Sequence, residues 1–192
     1  MFKPIALAAA LLAAMTVAAR AHVGVGAVHG FASGLAHPLS GLDHVLAMVA
    51  VGVLAAHLGG RALWLVPASF ISMMVVGGAL GVAGVTLPLV EIAIALSVVA
   101  LGLVVALRLD MATWMAMAMA GFFALFHGHS HGAEMPRTMN GIEYGAGFIL
   151  ATAFLHATGI ALGFAVQRHR RALQVFGGAM ALAGVAMLGG FV

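Results

Sequence analysis

The sequence predicts an all-α membrane protein with six transmembrane helices behind a cleaved N-terminal signal peptide. Of its 192 residues, 64% are apolar and 7% are charged, which leaves too little polar surface for a water-soluble fold of this size. The apolar residues form segments near the roughly 20 residues that cross a hydrocarbon core. The 26 glycines are typical of helices in lipid, where small residues let backbones approach closely.

Residues 1–21 have the composition of a secretory signal peptide. Lys3 supplies a positive charge, and the apolar run at residues 5–19 is short for a membrane span. Ala19-Arg20-Ala21 fits the small-residue pattern of a cleavage site. We therefore expect one mature domain over residues 22–192; the alternative is that the first segment remains as an uncleaved helix.

Six apolar segments follow, separated by short turns with glycine, proline or charged residues. They lie at residues 40–58, 62–82, 87–107, 111–128, 141–166 and 172–191. Residues 22–36 are rich in glycine, and we expect an irregular lead-in there instead of a span.

The arginines orient this predicted topology, because cytoplasmic loops carry an excess of positive charge. One set of loops holds five arginines, namely Arg61, Arg108, Arg168, Arg170 and Arg171. The opposite set holds only Arg137. The mature N-terminus and the C-terminus are therefore expected in the periplasm, and the protein in a bacterial inner membrane.

Three side chains that can bind metal lie near the start of the first predicted span, at His37, Asp43 and His44. An aspartate at membrane depth costs roughly 2.5 to 3.5 kcal/mol on insertion scales, so such a residue indicates function. The structural alternative is helix capping, in which Asp43 accepts a hydrogen bond from the Ser40 amide. Two neighbouring imidazoles favour metal binding, because a cap does not require them.

A second polar group follows the fourth span, in residues 127–134. Its candidate ligands are His127, His129, His131 and Glu134. In a helix, residues three and four apart share a face; if the glycines within the group loosen the backbone, all three imidazoles can turn to one side. The alternative is a solvated histidine-rich loop, but three histidines and a glutamate at this density favour metal binding.

Two further acids lie near predicted helix starts on the same side of the membrane. Glu91 begins the third span and is a candidate metal ligand. Glu143 follows Asn140 at the start of the fifth span, where helix capping explains it better than metal binding.

Besides Glu143, three residues are secondary candidates for an ion pathway. His22 lies in the expected lead-in, and Met48 follows His44 by one helical turn. His156 lies about 20 Å deeper in the fifth span than Glu143. A buried packing role beside a glycine-rich seam and a relay role explain His156 equally well.

The side chains present restrict the chemistry. With no cysteine, imidazole and carboxylate ligands suit nickel, cobalt, zinc or iron. No phosphate-binding loop of the P-loop type is present, so no ATPase motif is found. The scattered basic residues do not indicate a nucleic-acid partner. The expected partners are a transported metal ion and the lipid bilayer, with no permanently bound cofactor.

The motif His37-Pro38-x-x-Gly41-x-Asp43-His44 closely resembles the HupE/UreJ family of nickel/cobalt permeases. The resemblance continues through residues 126–134 and 147–159, and it spans most of the mature chain. It implies a permease without enzymatic activity that takes up nickel or cobalt across the bacterial inner membrane, often for hydrogenase or urease maturation. It also implies that the metal-binding element consists of His37, Asp43 and His44.

Two other classes of protein remain as alternatives. A membrane metallohydrolase would use the same side chains to hold a metal that activates water, although the sequence has no His-Glu-x-x-His or Gly-x-Ser-x-Gly motif. A metal sensor or delivery module would bind the ion without transporting it.

Overall fold

The computed structural model describes residues 30–135, 140–166 and 169–191 of the chain. Over these residues the protein is all-α, with seven helices and no strand. The helices are α1 (Gly30–Ser40), α2 (Leu42–Leu58), α3 (Ala62–Val82), α4 (Val90–Leu107), α5 (Thr113–Glu134), α6 (Gly141–Val166) and α7 (Arg170–Leu188). The predicted signal peptide at residues 1–21 lies outside the described residues.

Each predicted span coincides with a helix, but fewer than six helices are long and apolar enough by themselves to cross a membrane. Four meet that criterion in the described part of the chain, namely α3, α4, α6 and α7, and the bent pair of α1 and α2 makes a fifth. The remaining helix, α5, continues past the predicted end at residue 128 through polar turns that reach Glu134. These helices define a multi-pass membrane protein.

The expectation of an irregular lead-in before residue 37 is wrong for the described residues, because residues 30–40 form α1. Its glycines serve close packing. A Cβ atom at Gly34 would collide with the Tyr144 carbonyl of α6, and one at Gly147 of α6 would collide with the Phe31 carbonyl of α1. Pro38 lies in the last turn of α1, so His37 is helical, contrary to the usual effect of a following proline. The two helices α1 and α2 then meet at an angle of 82°.

The core of the protein is built around α2, where every residue from His44 to Ala56 is buried. Helices α3, α4 and α6 all contact it. The closest approach is to α6, since a Cβ atom at Gly52 would meet the His156 carbonyl and Gly159. Similar glycine contacts join α3 to α5 at Gly77 and Gly128, as small residues do in membrane bundles.

The helices alternate in direction, and polar residues collect at the two ends of the bundle. At one end, His44 at the start of α2 contacts His127 and His131 near the end of α5; we call this the histidine end. At the opposite end, His57 of α2 lies beside Asp110 of the α4–α5 loop. The arginines of the described chain lie at this arginine end, namely Arg61, Arg108, Arg170 and Arg171.

Candidate metal-binding site

The centre of the histidine end is the imidazole of His44, in the first turn of α2. Its Nε2 atom lies 3.0 Å from Nδ1 of His127 and also contacts Nε2 of His131. The two α5 histidines are one turn apart and share a face, as the spacing predicts. All three residues are nearly inaccessible to solvent, with exposed fractions of 4%, 0% and 7% for His44, His127 and His131.

The other nitrogen of His44 pairs with its neighbour in the sequence. Nδ1 of His44 lies 3.0 Å from Oδ1 of Asp43. Gly41 leaves room for this pair, since a Cβ atom there would lie 2.7 Å from the same carboxylate oxygen. No described side chain caps α2, so the capping alternative for Asp43 is not what the structure shows.

The ring nitrogens of His127 are both engaged as well. Nε2 lies 2.8 Å from Oγ of Ser97 on α4, and that hydroxyl donates its own hydrogen to the Ile94 carbonyl at 2.6 Å. The serine oxygen is therefore free only to accept, which fixes the proton of a neutral His127 on Nε2. Nδ1 of His127 then presents its lone pair to His44.

His44 is held in a matching way. Its Nδ1–H donates to Asp43, which leaves the lone pair of Nε2 directed at the two α5 histidines. Lone pairs that face one another repel unless a proton or a metal ion lies between them. The centre thus has two nitrogens, His44 Nε2 and His127 Nδ1, whose lone pairs are oriented to bind a cation. Nε2 of His131 lies beside them.

A more exposed group adjoins this centre at the mouth of the bundle. Nε2 of His37 on α1 lies 3.9 Å from Oε2 of Glu134, and its ring lies 4.5 Å from that of His131 in an edge-on arrangement. Ligand atoms of His37, His131 and Glu134 all lie within 4.8 Å of one another. The same holds for Asp43, His44 and His127. Because His131 contacts His44, the two groups form one continuous cluster.

Aromatic side chains of α6 line the cluster on one side. The Phe148 ring lies 4.6 Å from that of His131 and 6.4 Å from that of His44, between ring centroids. Tyr144 lies one turn earlier on α6, 5.9 Å from the His37 ring. These rings cover the cluster on this side, and their low polarity strengthens electrostatic interactions beside them.

His129 and Glu91 do not join the cluster. His129 is buried, and its Nε2 lies 2.6 Å from the Val85 carbonyl in the α3–α4 loop. The three α5 imidazoles do not turn to one side, because α5 stays helical through Gly128 and Gly132, which pack on the α3 backbone. Glu91 lies exposed in the first turn of α4, in neither ligand group.

The described secondary candidates, Glu143, Met48 and His156, lie outside the two ligand groups. Asn140 caps α6, because its Oδ1 accepts from the Ile142 amide at 3.1 Å. Glu143 accepts a hydrogen bond at 3.2 Å from the side-chain amide of Asn140, instead of the expected bond from the Asn140 backbone amide. Met48 is fully buried in the core. His156 is buried in α6 beside Phe70. His22 lies outside the described residues.

Sequence reasoning did not identify Ser97, Phe70 or Phe148 as neighbours of candidate ligands. A serine inside the otherwise apolar segment of α4 is a detectable signal, since a hydroxyl in a membrane helix requires a partner. The two phenylalanines carry no such signal, because aromatic residues are common in apolar spans.

The fold and the site define the class of this protein: a multi-pass helical membrane protein with a cluster of histidines and carboxylates at one end of its bundle, in which His44, His127 and His131 are buried. The chain belongs to the HupE/UreJ family, since the model described as "HupE / UreJ protein" matches residues 9–187. It is 52% identical over 176 residues to Protein HupE of Rhizobium leguminosarum bv. viciae, which covers 90% of this chain and 91% of that protein. No solved structure matches this chain.

Proposed function

We propose that this protein is an uptake permease for a divalent transition-metal ion, with Ni²⁺ as the preferred substrate and Co²⁺ as the alternative. The observation that carries the proposal is the convergence of imidazole nitrogens from His44, His127 and His131 at one buried point. Imidazole is a ligand suited to both ions. Membership of the HupE/UreJ family supports transport over catalysis.

The distribution of charge supports entry from the histidine end. The described arginines lie at the opposite end, which the positive-inside rule assigns to the cytoplasm. The histidine end then faces the periplasm of a bacterial inner membrane, as does the C-terminus after six crossings by α2 to α7. A cleaved signal peptide at residues 1–21 belongs to the same proposal.

The spacing of the nitrogens supports coordination by His44 and His127. Metal–nitrogen bonds are about 2.0–2.1 Å long, so two ligands at a right angle place their nitrogens about 3 Å apart. His44 Nε2 and His127 Nδ1 are separated by 3.0 Å. In this arrangement Asp43 orients His44 and offsets charge, while the ion binds the opposite ring nitrogen, as in carboxylate–histidine–metal arrangements.

The more exposed residues provide a first contact for the ion. His37 and Glu134 have side chains that are 36% and 59% exposed, so they can replace some of the water ligands of an arriving dication. His131 contacts both this group and His44 and can transfer the ion inward. A permease requires binding that is favourable enough for entry yet weak enough for release, which incomplete protein coordination provides.

Uptake of Ni²⁺ or Co²⁺ into proteoliposomes containing the purified protein tests the proposal. We expect time-dependent accumulation that falls about tenfold or more in His131→Gln, consistent with the cost of losing a metal-site interaction. His129→Gln is the matched control, because His129 has the same exposure of 7% on the same helix but bonds to a backbone carbonyl. It should retain uptake wherever the variant folds.

Two results would contradict the permease, and a third would contradict the role of the cluster in transport. Stoichiometric binding without time-dependent uptake would indicate a sensor or delivery module. Metal-dependent hydrolysis that persists when uptake is blocked would indicate an enzyme. Equal uptake by the wild-type protein and His131→Gln would show that transport does not depend on the cluster.

A further inference from the structure

His156 is the polar side chain for which the cluster leaves no role. It lies within α6, where its exposed fraction is 2%, and neither ring nitrogen has a hydrogen-bond partner among the described residues. A buried imidazole without a partner costs free energy that a leucine of similar size would avoid. Ionisable side chains retained at membrane depth typically lie on ion or proton pathways.

The position of His156 connects it to the cluster along one face of α6. Phe148, Thr152 and His156 are successive residues of that face, four apart in sequence. Phe148 contacts the His131 ring, and His156 lies about 12 Å further along the helix. Thr152, fully buried between them, has its hydroxyl oxygen 3.7 Å from the Met74 sulfur. Groups able to contact a cation are thus distributed along this face.

Phe70 of α3 links the two sites from the other side. Its ring lies 5.9 Å from that of His127 and 5.1 Å from that of His156, between ring centroids. Phe70 is fully buried. One aromatic side chain is therefore in contact with both the cluster and His156.

The level of His156 in the bundle is intermediate between two polar sites of α2. Its carbonyl packs against Gly52, which follows His44 by about two helical turns and precedes His57 by more than one. At the arginine end, Nε2 of His57 lies 3.3 Å from Oδ1 of Asp110. His44, His156 and His57 thus lie at three successive depths along the axis of α2, although His156 belongs to α6.

We propose that His156 is an intramembrane binding station for the transported divalent ion, between the histidine-end cluster and the His57–Asp110 pair. The ring nitrogen that carries a lone pair replaces part of the ion's hydration shell, where most of the surrounding side chains are apolar. The Phe70 ring contacts both the station and the cluster. This inference rests on the proposed transport function.

The test compares His156→Leu with the wild-type protein in proteoliposomes that contain an internal Ni²⁺ chelator. We expect the initial uptake rate to fall about tenfold or more, while the affinity for Ni²⁺ in detergent changes less than about twofold. The melting temperature should stay equal or rise, because the substitution removes an unpaired buried polar group. Thr158→Val is the matched control: it removes a hydroxyl that bonds within α6 at 2.9 Å, and uptake should be unchanged.

His156→Gln provides the same comparison with a polar side chain and covers the case in which the leucine variant fails to fold. Wild-type uptake rates in a folded His156 variant would overturn the station and leave the permease intact. A parallel loss of affinity and uptake would place His156 in support of the cluster and also overturn it. Absence of uptake by the wild-type protein would instead remove the proposed function, and the station with it.

Discussion

The two ends of α2 each pair a histidine with an aspartate, but in different surroundings. The side chains of His44 and Asp43 are 5% and 28% exposed, and two further imidazoles contact His44. The side chains of His57 and Asp110 are 16% and 95% exposed. Ion pairs that reach water contribute little, about 0–1 kcal/mol. Under the proposed transport function, burial and additional nitrogens suit one end to the capture of an ion, and exposure to water suits the other end to its release.

The largest effect that separates the two ends is expected from the histidines themselves. His44→Gln removes the nitrogen on which His127 and His131 converge, so the affinity for Ni²⁺ should fall about 100-fold, the upper part of the range for disrupted metal sites. His57→Gln should leave this affinity within about twofold and slow only the uptake. Isothermal titration of both variants in detergent, followed by uptake in proteoliposomes, measures the difference. Similar affinity losses in the two variants would remove the distinction between capture and release.

The aspartates should show the same contrast at smaller amplitude. Asp43→Asn keeps an oxygen that can accept from His44 Nδ1 but removes the negative charge, so Ni²⁺ affinity should fall about 10-fold to 100-fold. Asp110→Asn changes a solvated carboxylate and should alter affinity less than about twofold. Both affinities should be measured at two salt concentrations, because dissolved ions screen the exposed Asp110 carboxylate more than the less exposed Asp43 carboxylate. An Asp43→Asn protein with wild-type affinity and uptake would contradict the assigned role of the carboxylate.

The sequence was sufficient to predict six of the seven described helices and to place the candidate ligands at one end of the bundle, but not whether residues 37–44 and 127–134 form one site or two. Long apolar segments must become helices in lipid, because each backbone group needs a partner there. The spacing of His127 and His131 placed both on one face, and alternating helix directions brought that face to the start of α2. These are short-range consequences of composition and helical geometry.

The features that were missed depend on tertiary packing. Glycines before His37 indicated irregular structure, whereas in α1 they permit contact with α6. The same ambiguity affected α5, where the sequence left open whether Gly128 and Gly132 loosen the helix around His129; in the structure they pack against α3. A glycine looks the same in sequence whether it breaks a helix or allows another helix to approach.

The smallest of the expected effects comes from Ser97. Its substitution tests whether the orientation of the His127 ring matters, because every candidate ligand remains in place. Ser97→Ala removes the acceptor of the His127 Nε2–H at 2.8 Å, so His127 can rotate or protonate its other nitrogen, and Ni²⁺ affinity should fall about tenfold. Ser69→Ala is the matched control, because its hydroxyl donates to the Met117 carbonyl at 2.9 Å, away from the cluster. Titration of both variants gives the comparison. Each variant loses a hydrogen bond that costs about 1 kcal/mol of stability, so the two should be destabilised equally. A larger loss of Ni²⁺ affinity in Ser97→Ala than in Ser69→Ala would then assign Ser97 to the site. Equal affinities in the two variants would restrict Ser97 to a packing role.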